Sequence, residues 1–278
     1  MKIKNLPVIL FGIALAVLSS CSVERKLAKE FVDGHDSISI LIIPPDFLFK
    51  TNLKTWSVGD TVIEDEAAKS RLLIDSSKFM RVVSDTLFIN RYMGALESNL
   101  TKFGIRMYHQ DQLTDFLSVK NMAYQVNVAQ LELEEGIYEY RAEEVFDSTV
   151  YFEDFALDQV SVNSWFEVTK LNDPQAVNNV LYASDYVTEG LEGRFTQNIF
   201  TGEIRFKYNI FPLEQEDIYT LAAISGERYA GYIFDYIMNQ YIYMSFPEGS
   251  QPATYLRYDP DAGVFYPAGE DRFIFLNE

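Results

Sequence analysis

The sequence predicts an α+β fold, in which a mixed sheet packs against helices and a β-rich antiparallel insertion or second lobe is added. Residues 37–45 are apolar on both faces of a strand, whereas 84–103 and 214–243 have helical apolar spacing. Residues 140–211 show strand patterns alone. The chain has 278 residues, of which 48% are hydrophobic and 15% aromatic, and this composition excludes a disordered chain and favours strands.

The amino-terminal part of the folded region predicts two strands and a short helix. Residues 37–45, SISILIIPP, form a strand that is buried on both faces and ended by the two prolines. Residues 46–58 then supply a loop and a second strand. Residues 60–73 supply a short helix. Because the first strand has no alternating polar positions, it sits at the centre of the predicted sheet.

The segment 84–103 is the clearest helix in the sequence. Ser84 can cap its amino terminus, Asp85 suits the positive end of the helix dipole, and Gly104 suits the left-handed residue that ends a helix. A short strand, 105–108, and a short helix, 110–118, follow. The apolar stripe of the long helix consists of Ile89, Tyr92, Leu96, Leu100 and Phe103.

A long strand at 123–140 changes the face that carries its apolar side chains. A strand with a period of two cannot keep even-numbered and odd-numbered residues on one face. We therefore predict a bulge or bend near Ala129-Gln130. The apolar positions are even before this point and odd after it: Tyr124, Val126 and Val128, then Leu131 and Leu133.

From residue 140 to residue 211 the pattern is that of antiparallel strands. Residues 150–171 form one or two strands, 178–190 and 193–200 form further strands, and Thr201-Gly202 marks a tight turn. The last strand alternates cleanly, which predicts one packed face and one solvated face. Its apolar positions are Ile204, Phe206, Tyr208 and Ile210, and its polar positions are Arg205, Lys207 and Asn209.

The late helix, 214–243, carries an apolar stripe and several small residues. Gly226, Ala230 and Gly231 would allow another backbone to approach closely. Its charged residues argue against a membrane span, and the tail beyond residue 254 predicts turns and a final hairpin. The stripe consists of Ile218, Leu221, Ala222, Tyr229, Ile233 and Ile237.

The first twenty residues have the three zones of a bacterial secretory signal: a short basic start, an apolar run and small residues. The apolar run is shorter than the roughly 20 residues that a transmembrane helix needs. The sequence Leu18-Ser19-Ser20-Cys21 resembles the lipobox of bacterial lipoproteins. The resemblance implies cleavage before Cys21, the only cysteine, and its acylation on sulfur and on the new amine. The alternative is an ordinary signal peptide that leaves a free thiol.

The leader predicts how the chain is divided into segments and where the protein is located in the cell. It predicts a signal peptide at 1–20, a lipidated tether at 21–36, and an α+β domain at 37–278 that contains the β-rich segment 140–211. No Asp follows Cys21 and no acidic run follows it, so resemblance to Gram-negative lipoproteins implies the outer membrane, facing the periplasm, with surface display as the alternative. The formal charge of −18 excludes nucleic acid as a partner.

Catalytic and metal motifs are missing from the sequence. The two histidines, His35 and His109, have no metal spacing, and neither a GxSxG elbow nor a phosphate loop is present. A pair of carboxylates for hydrolysis is uninformative among 41 acidic residues. We therefore predict no catalytic residue, no cofactor and no metal. Trp56 and Trp165 are the candidate contacts for a glycan ligand, although tryptophan is more often a core residue.

The order of the elements is similar to that of small periplasmic α/β domains of envelope lipoproteins, such as activators of penicillin-binding proteins and the amino-terminal domain of TolB. The resemblance covers residues 37–135 and the late helix, and the segment 140–211 departs from it. It implies a non-enzymatic adaptor or accessory subunit that binds an envelope protein through the acidic, aromatic β segment. The alternatives are a glycan-binding lipoprotein and a hydrolase that uses carboxylates.

Overall fold

The computed structural model describes residues 23–34, 38–54, 66–120, 122–171, 179–246 and 249–276. Cys21, His35 and Trp56 lie outside these ranges, so the predictions made for them stay predictions. Within the described ranges, no helix combines the length and the apolar character that crossing a membrane requires.

The helices and strands follow the predicted order closely. The helices are α1 Val23–Asp33, α2 Glu66–Ser76, α3 Asp85–Lys102, α4 Leu113–Leu117 and α5 Gln215–Ser245, and a 3-10 turn, Gln110–Gln112, precedes α4. The strands are β1 Ile38–Ile43, β2 Leu48–Asn52, β3 Arg106–Tyr108, β4 Met122–Phe146, β5 Thr149–Lys170, β6 Asn179–Thr188, β7 Gly190–Gln197, β8 Ile204–Phe211, β9 Leu256–Asp259, β10 Val264–Pro267 and β11 Ile274–Phe275.

A seven-stranded mixed sheet forms the centre of the fold. Its order is β11-β6-β5-β4-β1-β3, with β2 beside β4; β1 pairs in parallel with β3 and β4, whereas β5 is antiparallel to β4 and β6. β1 is buried on both faces, because Ile40 and Ile42 join the main core and Leu41 packs with Phe116 of α4 on the other side. The predicted α+β class, a mixed sheet packed against helices, is confirmed.

The register of β4 shifts at the predicted position. Val128 lies opposite Phe166 and Gln130 lies opposite Trp165, so Ala129 is an extra residue in the ladder. β1 pairs with β4 before this bulge and β2 pairs with it afterwards. The bulge buries apolar side chains from both of its sides in the same core: Val126, Val128, Leu131 and Leu133.

α3 and α5 pack together on one face of the sheet. The hydroxyl of Tyr92, on α3, donates a hydrogen bond to Ser164 Oγ of β5 at 2.9 Å, which ties the helix to the sheet. The predicted close approach occurs at Gly226, where a Cβ atom would overlap the carbonyl oxygen of Tyr92. The same prediction is wrong for Gly231, since a Cβ there would meet no atom within 4 Å.

α1 lies in the segment 21–36, for which a tether with a short helical stretch is predicted, and it packs against the folded domain. Ala28 and Phe31 are buried, and the ring of Phe31 lies 5.6 Å from that of Phe234 and 5.4 Å from that of Tyr241, both on α5. The helix is therefore part of the packed fold. The sequence alone shows only a short apolar stripe, whose partners lie about two hundred residues away.

The predicted final hairpin consists of β9 and β10, and polar side chains of α5 hold it in place. Asn239 forms two hydrogen bonds with the backbone of Leu256, at 2.9 Å and 2.7 Å. Oδ1 of the buried Asp235 carboxyl group accepts a hydrogen bond from the backbone N–H of Tyr258 at 2.8 Å. Burial raises the pKa of Asp235 to about 8. The hairpin is therefore fixed to the middle of α5.

Candidate functional site

Beyond the sheet, β4 and β5 continue as a projecting hairpin. β2 pairs with β4 as far as Glu135 and β6 pairs with β5 from Gln159, whereas the β4–β5 ladder continues to Phe146. The connecting residues Asp147-Ser148 have φ angles of 48° and 67°, as a two-residue hairpin turn requires. At about 3.3 Å per residue, the projecting part of β4 is roughly 33 Å long.

A second hairpin, β7–β8, packs on one face of the first through aromatic side chains. The ring of Phe155 lies 5.5 Å from that of Phe206 and 4.8 Å from that of Tyr208. Further out, Phe146 lies 6.4 Å from Phe195. The two layers together are called the arm, which comprises residues 136–146, 149–158, 190–197 and 204–211.

The packed face predicted for β8 is only partly buried. Phe206 and Tyr208 contact Phe155 as the alternation predicts, but Tyr208 and Ile210 remain about half exposed. Each layer of the arm has two strands, so the rims cannot be covered. At Gly193 a Cβ atom would clash with the ring of Phe206, and the missing side chain lets this ring lie flat across the hairpin.

The far end of the arm exposes apolar side chains. Ile199 and Phe200, in the β7–β8 turn, are 87% and 91% exposed. Three further apolar residues near the β4–β5 turn have half or more of their surface exposed. They lie on the face of the β4–β5 hairpin that is turned away from β7–β8. Apolar exposure of this extent is typical of a binding surface. The exposed apolar residues at the two turns of the arm are together called the distal patch, which consists of Val145, Val150, Phe152, Ile199 and Phe200.

The β7–β8 turn holds the two most exposed residues in a defined loop. The side-chain oxygen of Asn198 accepts hydrogen bonds from the N–H groups of Phe200 at 2.9 Å and Thr201 at 3.3 Å. The N–H of Gly202, at a φ of 72°, donates to the carbonyl of Asn198 at 2.8 Å. The predicted turn at Thr201-Gly202 is confirmed, and these hydrogen bonds fix the backbone that carries Ile199 and Phe200.

A cluster of charged residues, called the base network, lies where the arm leaves the sheet. Lys54 Nζ is 3.1 Å from Glu135 Oε1 and also pairs with Asp158. Lys78 Nζ lies 2.9 Å from Asp158 Oδ2 and 3.4 Å from Glu189 Oε1. The network therefore joins the end of β2, the loop before α3, both strands of the arm and the residue that leads into β7.

The base network lowers the pKa of two of its carboxylates, Glu135 and Asp158. Burial by itself would raise the pKa of Glu135, but hydrogen bonds from the Ser77 hydroxyl, from the Phe79 N–H and from Lys54 lower it below its usual range. Burial also acts to raise the pKa of Asp158, but Lys54 and Lys78 lower it below its usual range. A glycosidase needs one carboxylic acid with a raised pKa, and neither of these residues provides it.

Trp165 lies on the face of the sheet opposite to α3 and α5. Its ring is half-buried and lies 5.1 Å from that of Tyr182, the residue opposite it on β6. The Tyr182 hydroxyl donates to Asn163 Oδ1 at 2.8 Å, and Asn163 Nδ2 donates to Glu134 Oε2 at 2.7 Å. An aromatic ring is thus combined with planar polar groups, which is an arrangement able to stack a sugar ring and bind its hydroxyls.

His109 occupies the start of the 3-10 turn, where it is exposed and lies 3.9 Å from Glu97. Among the described residues, no group of three or more His, Cys, Asp or Glu side chains is placed to hold a metal ion. Sequence reasoning missed Ile199 and Phe200. The available signal was an apolar pair enclosed by the turn-forming residues Asn198 and Thr201-Gly202.

Comparison of the chain with models of protein families and with curated proteins gives no match.

Proposed function

We propose that this chain is a non-enzymatic outer-membrane lipoprotein, anchored through acyl chains on Cys21, that serves as a periplasm-facing adaptor or accessory subunit of an envelope protein complex. The distal patch is the observation that carries this proposal. It presents exposed aromatic and aliphatic side chains of a kind that contributes strongly to protein–protein binding. Its neighbours Glu143, Asp147 and Arg205 carry both signs of charge, which suits a protein partner better than an anionic lipid surface.

The position of the anchor supports the same function. α1 begins at Val23, two residues after Cys21, so acyl chains on Cys21 would hold the domain close to the bilayer. α1 packs on the part of α5 where Tyr236 accepts a hydrogen bond from Asn179 at the start of β6. Measured along β4, this part of the sheet is about twenty residues, or roughly 60 Å, from the tip of the arm. α1 and the distal patch therefore lie at opposite ends of the molecule.

The proposal is tested by placing a photo-crosslinking residue at position 200 in cells that make the lipidated protein. We expect a discrete adduct with one envelope protein, because the Phe200 side chain would lie inside the interface. Position 117 is the control, since Leu117 is also exposed but lies on α4, away from the arm. An identical adduct from both positions, or none from position 200, contradicts the proposal. Cys21→Ala is expected to release the chain from membranes and to lose the adduct.

The crosslinked partner allows a quantitative prediction. The double variant Ile199→Ser/Phe200→Ser is expected to weaken its binding by at least about 30-fold, because the loss of a single hot-spot side chain already costs roughly 2 kcal/mol. Leu117→Ser is the matched control and should leave the affinity unchanged. Titration calorimetry of the purified proteins measures both, and equal affinities for the two variants would remove the arm from the interface.

A second function, glycan binding, is favoured by the Trp165 face of the sheet. In a Trp56→Phe background, Trp165 alone reports on this face by fluorescence. If the face binds glycans, oligosaccharides should quench or shift this emission, because a stacked sugar excludes water from the ring. Tyr182→Ala should reduce the response. Flat titrations across neutral and acidic oligosaccharides would rule out glycan binding, and the adaptor function would be the only proposal left.

A further inference from the structure

A cleft of 820 Å³ lies on the helical side of the molecule, apart from the arm. It is bounded by the end of α3, the middle of α5 and the β9–β10 hairpin, and its size is within the range of about 300 to 1,000 Å³ that small-molecule sites occupy. Aromatic side chains from all three elements line it. They are Phe103 of α3, Tyr232 of α5, and Tyr258 and Tyr266 of the hairpin.

Gly231 lines this cleft from the interior of a 31-residue helix. Glycine at such a position costs about 1 kcal/mol relative to alanine. At Gly226 the close approach of Tyr92 explains the absence of a side chain, but a Cβ atom at Gly231 would meet no described atom within 4 Å. Packing therefore does not account for Gly231, and the effect of its missing side chain is to keep the wall of the cleft open.

Two of the three cations that line the cleft already have carboxylate partners. Arg228 is 2.6 Å from Asp185, and Arg257 is 3.1 Å from Asp271. Lys102 has no carboxylate within 4 Å in the described part of the chain, and it bonds to an amide oxygen instead. Lys102 is therefore the one basic side chain without a carboxylate partner among the described residues that line the cleft.

Its acidic residues are less completely satisfied. Glu227 and Asp261 line the cleft, and within the described ranges no basic group lies within 4 Å of either carboxylate. Asp259 accepts hydrogen bonds from the turn N–H groups of Asp261 at 2.9 Å and Ala262 at 3.0 Å. The carboxyl end of α3, at Phe103, adds the negative end of a helix dipole. The cleft thus favours a cation.

We infer that this cleft binds a small organic molecule that carries a protonated amine. The ammonium group would lie between the carboxylates of Glu227 and Asp261 and the faces of the tyrosines, which attract cations through their ring quadrupoles. The carbon skeleton of the ligand would extend over the notch at Gly231. This site is separate from the distal patch, and neither proposal depends on the other.

Benzylammonium is a suitable probe, because it combines an ammonium group with a ring that can stack on tyrosine. The chain from Ser22 onward, which contains every described residue, is mixed with the probe at millimolar concentration. Binding is read by saturation-transfer NMR on the probe. We expect transfer to benzylammonium, and several-fold less to benzyl alcohol, which has the same shape without the charge. No transfer to benzylammonium, or equal transfer to both, would overturn the inference.

Gly231→Leu separates the cleft from general attraction to an acidic protein, since the substitution leaves every charge in place. We expect at least a tenfold loss of transfer and no loss of thermal stability. Gly94→Leu is the matched control: Gly94 is an exposed glycine inside α3 whose Cβ would also meet no atom within 4 Å. The double variant Glu227→Gln/Asp261→Asn should also reduce transfer, because it removes the two carboxylates that face the ammonium group. Undiminished transfer in Gly231→Leu would place the probe elsewhere and refute the site.

Discussion

Replacement of Glu135 by alanine is expected to destabilise the fold by about 3–5 kcal/mol, the cost of removing one partner from a buried ion pair. The carboxylate is buried and accepts hydrogen bonds from the backbone N–H groups of Phe79 at 3.0 Å and Lys78 at 3.2 Å. It also accepts one from the hydroxyl of Ser77. Without Glu135, these donors lose their partner inside the protein, and Lys54 keeps only Asp158. Urea unfolding measures the difference.

Glu139→Ala is the control for this prediction. Glu139 lies four residues further along β4, is exposed, and should change the free energy of unfolding by less than about 0.5 kcal/mol. A loss of similar size in both variants would mean that strand propensity, and not the ion pair, determines the effect. A loss below 1 kcal/mol in Glu135→Ala would contradict the role assigned to the base network.

The pH dependence of stability follows from the same pairs. The pKa values of Glu135 and Asp158 are lower in the folded chain than in the unfolded chain. Their contribution is therefore present above the ordinary carboxyl pKa, about 4, and is lost as the pH falls through the lowered values. Glu135→Gln should flatten the acid side of the stability curve. At neutral pH it should be less stable than the natural chain.

The base network also determines how the arm is presented. Lys54 and Lys78 join two strands that leave the sheet together, and Glu189 joins them to the start of β7. The N–H of Asp158 donates to Glu189 Oε2 at 3.1 Å, so both hairpins are fixed at one point. A partially broken network would loosen the arm before it unfolded the domain. We therefore expect Lys78→Ala to weaken partner binding through the arm's orientation.

The elements that the sequence predicted well are those whose signals are local. The bulge at Ala129 follows from a change of parity within one strand, and the start of α3 follows from Ser84, whose side chain accepts from the Leu87 N–H at 3.4 Å. The turn at Thr201-Gly202 follows from the conformational preferences of its residues. In each case the residues that decide the structure lie within a few positions of one another.

The features that the sequence did not predict depend on distant partners. The predicted strand ended at Tyr140, because the charges that follow it look like solvent-facing residues, yet pairing with β5 carries β4 to Phe146. Lys54 and Glu135, eighty-one positions apart, gave no joint signal. The exposure of Phe200 is likewise a tertiary property, since an aromatic residue in a turn has no pattern that distinguishes a buried ring from a free one.

The second large effect is expected at Gly226, where alanine should destabilise the protein by about 3 kcal/mol, near the upper end for overpacking. A Cβ atom there would overlap the carbonyl oxygen of Tyr92 and press on the N–H of Leu96, and backbone cannot move aside as a flexible side chain can. The helices α3 and α5 would have to separate. Separation would also strain the Tyr92–Ser164 hydrogen bond between helix and sheet.

Gly94→Ala supplies the comparison, because it makes the same chemical change two residues after Tyr92 in open space. Alanine is a better helix former than glycine, so this variant should gain about 0.5–1 kcal/mol. Thermal and urea unfolding of the two variants should therefore shift in opposite directions. If both variants were stabilised, helix propensity would outweigh packing at Gly226. The helices α3 and α5 would then be further apart than the expected overlap with the Tyr92 carbonyl oxygen requires.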